Sequence, residues 1–137
     1  MKTWVFACAC VLVFGLTVVA LANDEGDQYD MMFMKPAIAA NMALQKDVMG
    51  DLGMAATDAG NLQAAFAKIE GFWTKKGGAD DAVMFAKNIQ AAASATQKAA
   101  AAGDKDGAAN AAKMIAANCG GCHMAHRTRT ASGFDLH

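Results

Sequence analysis

Two cysteines and a histidine form the segment of this chain whose chemistry is easiest to interpret. The sequence reads Cys119-Gly120-Gly121-Cys122-His123. Two thiols three residues apart, followed at once by an imidazole, suit covalent capture of a haem, because each thiol can add to one vinyl group and the histidine can ligate the iron. On a helix, positions i, i+3 and i+4 project from one face, so a single helix would present all three groups together.

Other chemistries use a pair of cysteines as well. A small disulfide loop, a thioredoxin-like dithiol and a zinc site are the alternatives. A dithiol normally lies in a βαβ context that this sequence lacks, and zinc would need two further ligands. A thiol redox protein without haem therefore stays as a third interpretation, and the histidine directly after the second cysteine favours haem.

The elements that must position these groups begin after an apparent export signal. Lys2 is followed by an apolar run over 4–19 and by Ala-Leu-Ala at 20–22. A basic start, an apolar core and a small-x-small end are typical of a secretory signal peptide, so we expect cleavage after Ala22 and a periplasmic mature domain of 23–137. A membrane anchor is the alternative, although the run is short for a span of about 20 residues.

Composition predicts one all-α domain. Alanine is abundant, Pro36 is the single proline, and two of the four cysteines lie in the leader. Alanine is the strongest helix former and proline the weakest, which favours helices throughout. The formal net charge of −1 and the lack of a basic segment indicate no nucleic-acid binding. No catalytic triad, paired apolar carboxylates or phosphate loop is visible, so we expect no enzyme.

Clusters of Gly, Asp and Asn divide the mature chain into four predicted helices, at roughly 28–49, 58–74, 80–102 and 104–126. Short connections make neighbours antiparallel, which predicts an up-down-up-down four-helix bundle enclosing one haem. The first helix is predicted to bury Met31, Met34, Ile38, Met42, Gln45 and Met49. The last is predicted to align Ala112, Ile115, Ala116, Cys119, Cys122, His123 and His126. The tail after Arg127 is expected to fray.

On these features the chain resembles the cytochrome c′ family, the four-helix-bundle class of c-type cytochromes. The resemblance lies in the late position of the motif, in Arg127 four residues after His123, and in a first helix that opens after Tyr29. The family often has an aromatic residue where this chain has His126 and tends to have arginine where it has Asp30. The resemblance implies one covalent haem c, and family members are often homodimers through their first two helices.

The resemblance also implies a residue on the distal side of the haem. The family's sixth-position residue lies five after that tyrosine, which points to Met34, with Met31 and Met32 as alternatives. Methionine completes iron coordination in low-spin relatives, whereas leucine leaves an open site that binds NO or CO. Arg127 is expected to shield the proximal histidine or pair with a propionate, or else only to favour the helix C-terminus. Met31 could also line the haem pocket without ligation.

The leading expectation is therefore a periplasmic electron carrier with Cys119 and Cys122 attached to haem and His123 and Met34 on its iron. It would pass single electrons to redox partner proteins and would not stay inserted in the membrane after cleavage. The alternative is a five-coordinate, gas-binding member of the same family.

Overall fold

The described part of the chain is mostly helical. A computed structural model describes 24–131 and 133–137, so the predicted signal peptide and its two cysteines lie outside the described residues. The helical elements are α1 (Asp24–Tyr29), a π-helical turn (Asp30–Met34), α2 (Lys35–Asp47), α3 (Leu52–Lys76), α4 (Asp80–Ala101) and α5 (Lys105–His126). The first three follow one another without a break and are called the N-terminal helix. The prediction of four helices is confirmed.

Side-chain caps and glycines explain where the helices begin and end. Asp51 accepts a hydrogen bond from the Met54 N–H (3.0 Å) and starts α3. Asp104 starts α5 in the same way through the Gly107 N–H (2.8 Å). The sequence prediction placed the start of the second helix near Asp58, which instead lies buried within α3. That prediction was wrong because Asp51 caps the helix earlier.

The four helices pack in chain order around one apolar core. The N-terminal helix packs on α3, α3 on α4, and α4 on α5, and the short connections make consecutive helices antiparallel. The predicted core face of α3 is confirmed, since its large apolar residues are all buried: Leu62, Phe66, Ile69 and Trp73. No helix within 24–131 and 133–137 has both the length and the apolarity needed to cross a membrane.

The predicted apolar stripe of the N-terminal helix was largely wrong. Met34 is buried, but four other members of that stripe are exposed: Met31, Ile38, Met42 and Met49. The buried face instead consists of Met34, Ala37, Leu44 and Val48. The exposed stripe is a face that a second copy of the chain could cover, and the homodimer stays a prediction.

The π-helical turn shows why a regular helical period misleads here. The Lys35 N–H donates to the Asp30 carbonyl, an i to i+5 bond that widens this turn by one residue. The wider turn brings Tyr29 and Met34 to the same side of the helix, and both are buried. Pro36 follows directly and has no N–H to donate to the carbonyl of Met32, so one α-helical hydrogen bond is missing at this point.

A short hairpin follows α5 where fraying was expected. Strands β1 (Arg127–Arg129) and β2 (Phe134–Leu136) pair antiparallel, with Arg127 opposite Leu136. The Arg127 guanidinium lies 3.3 Å from the centre of the Phe134 ring. The Phe134 carbonyl lies so close to Gly26 that no side chain would fit there. The tail is therefore held by contacts with α1 and with Arg127 at the end of α5. The expectation of fraying was wrong.

Replacing Tyr29 should test the polar contact inside this core. The buried Trp73 indole N–H donates to the Tyr29 hydroxyl at 3.0 Å. In Tyr29→Phe that N–H loses its acceptor, so we expect the free energy of unfolding in urea to fall by about 1–3 kcal/mol. The control is Asn88→Ala, which removes an exposed hydrogen bond to Asn118 and should change it by less than about 0.5 kcal/mol. Equal losses in both variants would contradict the assignment.

Candidate cofactor site

A cavity with apolar walls lies among the four helices near the end of α5. Its empty space is about 500 Å³, counting the part that is open to solvent. The N-terminal helix, α3, α4, α5 and β2 all contribute to its lining. The apolar wall includes Phe66, Ile69 and Trp73 of α3 and Phe85 and Ile89 of α4.

The structure brings the three motif side chains into this cavity. Cys119, Cys122 and His123 all line it from the last turns of α5, and each is half-buried. Both thiols are free, so no disulfide joins them. Gly121 allows α5 to approach α4 here, since a Cβ at this position would lie 2.7 Å from the Phe85 ring. Packing of α5 on α4 therefore favours glycine at position 121, the second of the two residues between the cysteines.

Met34 lines the cavity from the N-terminal helix. It is 8% exposed, whereas every other methionine in the described part of the chain is at least 50% exposed. Methionine therefore does not serve as general core filler in these helices. Met31 and Met32, the alternatives from the sequence, are exposed and are not part of the lining. The structure thus brings Met34 together with the motif and leaves Met31 outside.

Burial disfavours ionised thiols in the cavity. Burial raises the pKa of Cys119, and burial together with the neighbouring Cys119 and Asp81 raises the pKa of Cys122 to about 11. Dithiol redox proteins need the opposite, a thiolate stabilised at neutral pH by a lowered pKa. The environment of these cysteines therefore speaks against the interpretation as a thiol redox protein.

His123 is held in the form that binds metals. Burial and the nearby Arg127 cation lower the pKa of its imidazole, and the Asp30 carboxylate opposes them only in part. A lowered pKa leaves the ring neutral at pH 7, with a nitrogen lone pair available to iron. Among the described residues, no group of three or more His, Cys, Asp or Glu side chains could hold a bare metal ion.

A polar edge completes the site. The Arg127 Nη2 donates to both carboxylate oxygens of Asp30, at 3.2 and 3.4 Å, while its Nε is buried without a hydrogen-bond partner in the described residues. Burial is the main cause that raises the pKa of Tyr29 to about 12, so its hydroxyl stays protonated. That hydroxyl accepts from Trp73 and keeps its own proton to donate. Two N–H or O–H donors are therefore available to an acidic group of a ligand.

His126 lines the cavity but is engaged by the protein. Its Nδ1 lies 2.6 Å from the His137 carbonyl oxygen, and its Nε2 lies 2.9 Å from an Asp81 carboxylate oxygen, although out of line for a hydrogen bond. Its ring also packs on Trp73, with centres 5.3 Å apart. These contacts favour a structural role for this histidine. Phe85 was not among the predicted site residues, and it lines the cavity and contacts Gly121 only because α4 and α5 pack together.

Alkylation of the haem-free chain should report the protonated state of the thiols. A raised pKa means that folding favours the neutral Cys122 thiol at neutral pH, and this contribution to stability is lost as pH rises toward about 11. At about pH 8 we expect iodoacetamide to modify the folded chain at least about tenfold more slowly than the urea-unfolded chain, followed by mass spectrometry. Equal rates in the two states would show that the thiol is not protected in this way.

Comparison with known proteins adds no relative to this description. No protein-family model matches the chain, and neither a curated protein nor a solved structure matches it significantly. What can be proposed about function therefore rests on the side chains that line the cavity.

Proposed function

We propose that this protein is a periplasmic c-type cytochrome that binds one haem covalently and carries single electrons. The observation that supports this most directly is the convergence of Cys119, Cys122 and His123 on one cavity, with Met34 in its wall. Two thiols, an imidazole and a thioether are the side chains that a covalently attached, His/Met-ligated haem requires. The resemblance to the cytochrome c′ family, drawn from the sequence, agrees with this set.

The lining of the cavity fits a haem. Its walls are aromatic and aliphatic on the α3 and α4 sides, which suits a flat apolar ring. Tyr29 and Arg127 line the cavity, and the Tyr29 O–H and the unpartnered Arg127 Nε–H would be the donors to propionate groups. No rearrangement of α5 is needed to bring Cys119, Cys122 and His123 to the same cavity.

The same observations favour an up-down-up-down four-helix bundle that encloses the haem. The N-terminal helix and α5 contact each other through side chains, such as the Gln45 amide on the Ala112 carbonyl at 3.4 Å. Small residues, Ala82 and Ala86, face the cavity from α4. A ring between the helices would supply apolar volume that alanine does not, and protein interiors are close-packed.

Each residue of the site has a role in this proposal. Cys119 and Cys122 would form the two thioethers, and His123 and Met34 would be the proximal and distal ligands. When bound, haem supplies a one-electron change at its iron, and a His/Met ligand pair raises its reduction potential relative to two nitrogen ligands. The buried rings of Phe66 and Trp73 exclude water from that side of the cavity.

The proposed partners follow from this role. A single-electron carrier docks transiently with redox partner proteins, through small interfaces that release quickly. Export by the signal at 1–22 would place these partners in the periplasm. A net charge of −1 offers no reason to expect a nucleic-acid partner.

Covalent haem is the first testable consequence. We expect protein produced with c-type maturation machinery to reach the periplasm and to give a pyridine haemochrome spectrum that survives acid extraction of free haem. The double variant Cys119→Ser/Cys122→Ser should lose this haem because it removes both thioethers, whereas each single variant can keep haem through the thioether that remains. Cys8→Ser is the matched control and should keep it, since Cys8 leaves with the proposed signal. Colourless wild-type protein whose thiols react freely would refute the proposal.

Ligation by Met34 is the second consequence. We expect the ferric protein to be low-spin, with a sulfur-to-iron absorption band, and Met34→Leu to become high-spin and lose that band. Met31→Leu, the exposed control on the neighbouring turn, should leave the spectrum unchanged. A wild-type protein that carries haem, is already high-spin and binds CO rapidly as the ferrous form would instead support the five-coordinate, gas-binding alternative.

A further inference from the structure

One ion pair joins the two turns that carry the proposed axial ligands. Asp30 is the first residue of the π-helical turn that ends at Met34. Arg127 follows the end of α5, one turn after His123. The Arg127 Nη2 donates to both oxygens of the Asp30 carboxylate, at 3.2 and 3.4 Å. The pair therefore links the distal and proximal walls of the cavity directly.

Each residue of the ion pair is close in sequence to one of the two proposed iron ligands. Asp30 and Met34 are four residues apart, and so are His123 and Arg127, so each ligand stands about one turn from its end of the ion pair. Both charged side chains are only partly exposed, 31% for Asp30 and 20% for Arg127. Partial burial reduces the screening of the pair by solvent, and the two charge-assisted hydrogen bonds of Arg127 Nη2 can therefore restrain the turn.

Arg127 is a fixed point for this contact. Its guanidinium packs 3.3 Å from the centre of the Phe134 ring in β2. The carbonyl of Phe134 in turn lies against Gly26 of α1. The hairpin therefore fixes the position of the Arg127 guanidinium, and the Asp30 carboxylate meets it there.

The π-helical turn is the element that this contact can restrain. Turns of this kind are rare, mostly occur as single turns within α-helices, and are frequent at functional sites. Relaxation to regular α-helical geometry would rotate Met34 by about 100° relative to Tyr29, because each residue adds that angle in a helix of 3.6 residues per turn. Met34 would then leave the cavity.

We propose that Asp30 is a positioning residue: through Arg127 it holds the π-helical turn in the register that directs Met34 into the cavity. It thereby determines whether Met34 closes the sixth iron position or leaves it open to small ligands. The statement about iron rests on the proposed function, whereas the statement about the turn does not. Asp30 is also the position at which this chain departs from the family that it resembles.

The experiment compares Asp30→Ala with Glu25→Ala in the full-length protein. Glu25 is the matched control because it also joins the N-terminal helix to a neighbouring helix, by an ion pair of 2.8 Å to Lys76 of α3. Hydrogen exchange of the amides in 31–38, in protein with and without haem, reports the turn. Ferric spin state and the rate of CO binding to the ferrous protein report the sixth position. Asp30→Glu tests rescue by a retained charge.

In Asp30→Ala we expect faster exchange over 31–38, a high-spin ferric fraction, and CO binding about tenfold faster, the factor for loss of one charge-assisted hydrogen bond. Glu25→Ala should match the wild type, and Asp30→Glu should recover most of the wild-type behaviour. Unchanged exchange and unchanged CO binding in Asp30→Ala would overturn the inference, as would equal effects in Glu25→Ala.

Failure of the proposed function gives a different result. Without covalent haem, the exchange of the haem-free variants still decides whether Asp30 holds the turn. With covalent haem but a high-spin wild type, the role at the sixth position is overturned, even where the exchange data support the restraint on the turn.

Discussion

The close approach of α5 to α4 at Gly121 is the contact on which the position of the motif depends. A Cβ at this position would lie 2.7 Å from the Phe85 ring, so a larger residue would require that ring to move. The last turns of α5 lie against the aromatic wall here, and both cysteines and His123 line the cavity. Met34 lines the same cavity from the N-terminal helix.

Burial is the largest cause of the pKa shifts of the cysteines, Tyr29 and His123 in the site. The same loss of water that raises the pKa of Cys122 and of Tyr29 lowers that of His123, because desolvation disfavours charge of either sign. Protonated thiols, a protonated phenol and a neutral imidazole are the result. A protonated phenol can donate to a carboxylate and a neutral imidazole can ligate iron, whereas protonated thiols do not suit dithiol exchange.

The N-terminal helix shows how a local irregularity serves a site formed by distant elements. Its π-helical turn places Tyr29 and Met34 on one side, where Tyr29 contacts Trp73 of α3 and Met34 faces the motif of α5. Asp30 ties the same turn to Arg127, and the C-terminal hairpin supports that arginine through Phe134. The site therefore depends on both ends of the described chain as well as on the helices between them.

Features that depend on neighbours in the chain could be read from the sequence alone. The spacing of Cys119, Cys122 and His123 is a property of one helix, and the helices themselves follow from alanine content and from glycine and aspartate at their ends. The core face of α3 could be read for the same reason, because its apolar residues keep one uninterrupted helical period.

Only the tertiary structure decided which methionine reaches the cavity, which carboxylate meets Arg127, and what becomes of the tail. Nothing in the composition separates Met34 from Met31, because the difference arises from a wide turn that shifts the helical period. Asp30 and Arg127 lie 97 residues apart in the chain and meet only after the helices pack. Contacts of this kind depend on how distant helices are rotated against one another, which no local pattern of residues specifies.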